Sequence, residues 1–176
     1  MAAFAPPTDS DCMRHRGSTA ARKGLQAMAF AFALLSCGAN AGDNVTRTIE
    51  DASFDDVRIA LVDAIAEEGI GATTESRFGE MLTRTAPDLG HRPDLFAEAR
   101  IYTFCSVMIA ARLTTESAHN IAQCPLSMAV YQTPDEPGRV YLGYRRSVDS
   151  PGGRQADALL ARIAARTSAQ FERRPH

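Results

Sequence analysis

Apolar positions along the chain follow two rhythms. Phe54, Val57, Leu61 and Ile65 recur at spacings of three and four, one face of a helix. Ser53 stands before them with Asp56 three places on, a capping-box arrangement, and acids in the first turn suit the positive end of the helix dipole. Gly69 provides the stop. This spacing predicts a helix over 53–68. Elsewhere the rhythm has period two. Val45, Arg47 and Ile49 alternate with polar neighbours, as in a short strand. Leu126–Tyr131 and Val140–Arg146 are two further strands, joined by QTPDEPGR, whose Pro, Asp and Gly mark a turn. Together they predict a hairpin with Met128, Val130, Val140, Leu142 and Tyr144 on its core face.

The remaining segments are less regular. Ile70–Arg77 reads as a polar strand, and IYTFCS, Ile101–Ser106, as a strand rich in Tyr, Thr and Phe. Residues 95–100 form a turn leading into it. Between the two strands, Glu80–Arg84 is one helical turn. Pro87, Gly90 and Pro93 then break it, so 79–93 is a long loop and a natural place for function. Val107–Leu113 turns helical, with Ser106 as N-cap. Residues 117–122 form a second short helix before Pro125. SPGG, Ser150–Gly153, reads as a linker. Ala156, Leu159, Leu160 and Ile163 then lie on one face of an amphipathic C-terminal helix, either a packed tail or a dimer contact. Strand, helix, strand, loop, strand, helix pair, hairpin, helix is an α+β order with a mainly antiparallel sheet packed by helices. We expect a single domain over 42–149 and a helical tail over 150–176.

Composition changes this picture mainly at the N-terminus. Arg14, Arg16, Arg22 and Lys23 precede the uncharged run Leu25–Cys37, and Ala39-Asn40-Ala41 follows with small residues at cleavage-site spacing. That is the layout of a secretory signal peptide over 1–41, and the apolar run is too short to span a bilayer. A periplasmic or secreted chain released near Ala41 is expected. Leu34–Cys37 loosely resembles a lipidation box, so an anchor at Cys37 is the alternative. The formal net charge is -2, which gives no basic balance for nucleic acid. Lys23 is the sole lysine, so the remainder carries only guanidinium cations.

Four cysteines are present, and Cys12 and Cys37 fall in the leader. Cys105 ends a strand and Cys124 begins one, which brings both to one end of the sheet. In an exported protein this pair is a disulfide candidate that would stabilise the fold by about 3 kcal/mol through closure of a loop of about 20 residues. Two other readings stand beside it: two buried free thiols, or a reactive or metal-binding pair. For the reactive reading, Cys105 precedes a helix N-terminus, where the dipole favours thiolate. Against it, there is no C-x-x-C and no neighbouring Lys or His in sequence.

FCSVMIAARL, NIAQCPLSMAVYQ and EPGRVYLGYRR, with GEMLTRTAPDLG and AEARIYTFCS before them, resemble the domain of unknown function 302 family in a version with this cysteine pair. The resemblance runs over roughly 50–148. It implies a small α+β domain, often homodimeric, and no activity. Met81, Arg84, Thr85, Cys105, Cys124, Pro125 and Tyr131 stand at matching positions, whereas Arg77 and Phe78 depart from the pattern.

Other chemistry is sparse. His91 and His119, with Met81 and the cysteines, fit no standard metal-ligand spacing, so no metal or other cofactor is expected. Arg84-Thr85 could hold an anion, against the plainer pairing of Arg84 with Glu80 four residues earlier. No phosphate loop, dinucleotide fingerprint or nucleophile elbow occurs, and no catalytic residue is assigned. The reading that results is an exported, non-enzymatic module. It would bind a small ligand or partner protein through the 79–93 loop and the Cys105/Cys124 edge, with Met81, Arg84, Thr85 and Tyr131 as candidate contacts. The alternative is a thiol–disulfide redox protein with Cys105 as nucleophile and Cys124 as resolving cysteine.

Overall fold

A computed structural model describes residues 44–172. The leader, Ala41 and Cys37 lie outside the described residues. Five strands are present: β1 Asn44–Glu50, β2 Thr73–Ser76, β3 Glu98–Phe104, β4 Leu126–Gln132 and β5 Arg139–Arg145. They form one sheet in the order β1-β5-β4-β3-β2, and every neighbouring pair is antiparallel. Four α-helices accompany it: α1 Phe54–Glu67, α2 Phe78–Thr85, α3 Val107–Glu116 and α4 Pro151–Glu172, with 3₁₀ turns at Pro87–Leu89 and Ala118–Gln123. The fold is therefore α+β around an antiparallel sheet, as the order of elements predicts.

The hairpin pairs Met128 with Tyr144 and Val130 with Leu142. Those four residues and Val140 are buried, so the period-two pattern sets the face and the register. The same face takes Leu126, Tyr102 and Phe104, and α1 and α4 cover it. In α1 the Ser53 hydroxyl accepts from the Asp56 amide at 3.1 Å, and Phe54, Val57, Leu61 and Ile65 are buried, as the capping signature requires.

Three elements differ from expectation. α2 spans eight residues where one turn was expected, because Pro87 lies beyond the helix and stops it only after Thr85. β3 begins at Glu98, within the residues read as a turn. Ser150–Gly153 is no linker but the start of α4. Ser150 Oγ accepts from the Gly153 amide at 3.0 Å, Pro151 fills the first helical position, and Glu116 Oε1 accepts from the Gly152 amide at 2.7 Å. A Cβ on Gly153 would stand 1.8 Å from the Val148 carbonyl oxygen. These glycines are there for close packing rather than flexibility.

α4 belongs to the core. Ala156, Leu159, Leu160 and Ile163 are buried, and Arg162 and Arg166 reach the end of α1 at Glu68, at 3.0 and 3.3 Å. Thr167 and Ser168 are buried too, but their hydroxyls donate back to the carbonyls of Ile163 and Ala164, so no polar atom is stranded. Among the described residues no helix is long and apolar enough to cross a membrane.

Candidate functional site

The strand register places the two cysteines. Phe104 is opposite Leu126, so Cys105 and Cys124 leave β3 and β4 at the same end of the sheet. Burial, followed by the nearby Cys105, pushes the Cys124 thiol up. The register therefore brings the two residues to one corner, and both are free cysteines, Cys105 exposed and Cys124 half-buried. No bond joins Cys105 and Cys124 in the structure.

Around this corner lies an apolar rim. Val107 and Met108, in the first turn of α3, are each 79% exposed, and Ile121, three residues before Cys124, is 68% exposed. The core stripe of α3 is Ile109 and Leu113, so Val107 and Met108 fall outside it. These are the three most exposed large apolar side chains of the described residues. β5 ends at Arg145 at the same end, since Met128 opposite Tyr144 puts Ser127 level with Arg145, and Arg146 follows directly. Among the described residues neither guanidinium has an ion pair. The Ala118–Gln123 turn carries His119, exposed, and its amide is capped by the Ser117 hydroxyl at 3.3 Å. Among the described residues no group of three His, Cys, Asp or Glu could hold a metal.

The 79–93 segment lies elsewhere. A Cβ on Gly79 would come within 2.9 Å of the Ala99 amide nitrogen, so α2 packs against the start of β3, where the short β2 leaves its edge unpaired. From Ala99 to Cys105 is six residues of strand, about 20 Å. The loop and the cysteine corner therefore occupy opposite ends of the sheet and do not form one surface. Arg84 lines a groove of about 280 Å³ with Gly79, Thr83, Phe96 and Arg100. It does not pair with Glu80. That carboxylate goes to Arg100 at 2.9 Å, and Arg100 also takes Glu75 at 3.1 Å and Glu98 at 3.7 Å. The acids lining the groove offset its cations, which weakens it as an anion site. Met81 is exposed on α2, and the Thr85 hydroxyl donates to the Met81 carbonyl at 2.9 Å, so Thr85 has no donor left for a ligand.

Tyr131 belongs to a third feature that single-segment reading misses. Phe78, Phe96, Tyr131 and Tyr141 form a chain of ring contacts across the sheet face away from α1 and α4, with centroids 6.3, 5.8 and 5.1 Å apart. The hairpin register contained the last step, since Tyr131 and Tyr141 are direct partners. Phe78 and Phe96 enter only through the packing of α2. The rim residues Val107 and Met108 were legible as two apolar positions off the stripe of a short helix. Ile121 had no such signal.

No curated protein matches the chain. Among solved structures, it is similar to an uncharacterized conserved protein DUF302 from Bacillus stearothermophilus. The two share 22% identity at a TM-score of 0.49, over 74% of this chain and 96% of that one. The family model described as Domain of unknown function DUF302 matches residues 45–173, from the first strand through the last helix. That match takes in most of the chain and both cysteines, and by it the chain belongs to the DUF302 family.

Proposed function

We propose that this protein is an exported binding module without catalytic activity, and that it docks a partner protein through the corner formed by Cys105, Val107, Met108 and Ile121. The exposed apolar rim is the observation that carries the reading. Large aliphatic side chains left in water at one corner, beside cations without ion-pair partners among the described residues, fit a surface that is covered in use by an apolar patch with an acidic border. The 79–93 groove is left out of this contact, because it lies at the far end of β3.

A second reading rests on the asymmetry of the thiols. Cys105 is exposed and Cys124 half-buried, the arrangement of an attacking and a resolving cysteine. The Cys105 thiolate would attack a partner disulfide, forming a mixed disulfide and releasing one partner thiolate. Cys124 would then displace the second, leaving the partner reduced and this chain oxidised.

One experiment separates the two. A photo-crosslinking residue at Ala111, on the solvent side of α3, reports partners in cell-envelope extracts. The docking reading expects an adduct that survives Cys105→Ser and disappears with Met108→Asp or Ile121→Asp. The redox reading expects Cys124→Ser to accumulate adducts that dithiothreitol dissolves. An adduct unchanged by the Asp substitutions overturns the docking surface.

A further inference from the structure

We propose that Cys105 and Cys124 form a two-coordinate binding site for the soft monovalent cation Cu(I). The inference does not require a protein to dock at the same corner. Three observations lead to it. First, the register of β3 and β4 holds the two sulfur-bearing residues together before any ligand arrives, so little ordering remains for the metal to impose. Second, the donor set is short. Zinc in protein sites takes four ligands, and no third His, Cys, Asp or Glu of the described residues joins the pair. Thiolates are soft donors that select Cu(I), for which two ligands suffice. Third, the surroundings suit the product. A Cu(I) held by two thiolates carries a net negative charge. The N-terminus of the ten-residue α3 begins two residues after Cys105, and Arg145 and Arg146 stand at the same end of the sheet without ion-pair partners among the described residues. Val107, Met108 and Ile121 border the pair with apolar side chains that offer no hard oxygen or nitrogen donor.

The balance is simple. One Cu(I) binds, each thiol gives up its proton to solvent, two sulfur–copper bonds form, and no electron is transferred. Oxidation of the pair to a disulfide removes both donors, so the site exists only in the reduced protein.

Anaerobic titration of the reduced full chain into the coloured Cu(I)–bicinchoninate complex tests this. The expected result is withdrawal of one Cu(I) per chain, unchanged by Cys12→Ser and Cys37→Ser. Cys105→Ser and Cys124→Ser should each weaken uptake by about a hundredfold or more, because a single thiolate is left. X-ray absorption of the loaded protein should show sulfur neighbours only. If a serine variant does not fold, as judged by circular dichroism, alkylation of the folded wild-type thiols replaces it and should abolish uptake. Failure of the wild type to compete, uptake that survives alkylation or either substitution, or Zn(II) binding as tightly as Cu(I) would overturn the proposal.

Discussion

Gly153 lies in the first turn of α4, and a methyl group there would stand 1.8 Å from the Val148 carbonyl oxygen. Gly153→Ala must therefore shift the start of the helix. The expected loss is about 1–3 kcal/mol, the usual range for overpacking, read as a lower midpoint in denaturant with an unchanged slope. Composition alone makes Pro and two glycines a linker, and only the packing of Val148 against the helix start shows otherwise. Tyr102 gives a second test. Its phenol donates to Glu75 at 3.0 Å, and burial, then that carboxylate, pushes it from the ordinary 10.0 to about 12. The folded state therefore keeps a proton that the unfolded chain releases. Stability from this group is complete below pH 10 and is lost as pH rises towards about 12. Tyr102→Phe should flatten that part of the stability–pH curve in thermal unfolding, whereas an unchanged curve would mean that the alkaline loss has another source.

The α4 helix is the element whose role the sequence understates. Its apolar face was visible and read as a packed or partly frayed tail, with a dimer contact as the alternative, because a face does not name its partner. The structure buries it against α1 and the sheet, with Ile163 fully enclosed. Ile163→Ala should then cost about 2–5 kcal/mol in chemical unfolding, a core value and not that of a frayed end. Where α4 meets the end of α1, the Arg162 hydrogen bond holds the Glu68 carboxyl below its ordinary value. This contribution is present above pH 4.5 and disappears as pH falls through the lowered value. Glu68→Gln should remove that acid-side slope, measured as melting temperature against pH. The elements with a clean period, α1 and the hairpin, were legible throughout. α2 and β3 were misjudged at their ends, because the residues that end them are decided by contact between α2 and the β3 edge.

At the scale of the molecule, the sheet sorts its chemistry by end. One end holds the thiol pair, the apolar rim and two arginines. The other holds the α2 groove and the start of the aromatic chain. Mild oxidation of the folded protein should join Cys105 to Cys124 and raise stability by about 3 kcal/mol, since the bond closes a loop of about 20 residues in the unfolded chain. Equal unfolding midpoints for the thiol and disulfide forms would show that the corner gains nothing from the cross-link. Candidate residues drawn from neighbouring words of sequence do not share a surface here, because about 20 Å of strand separates them.

The sequence by itself determined the period of α1, the hairpin and its inward residues, the α+β class, and the meeting of the two cysteines at one sheet end. Each of these depends on spacing along a few residues, or on strands whose ends must lie together. Tertiary structure alone decided which residues keep company across long separations: α4 against α1, Gly79 against Ala99, and the joining of Phe78 and Phe96 to the two tyrosines. Those contacts arise from the packing of one element on another, where shape and volume at a distance choose the neighbour, and no local rhythm records that choice.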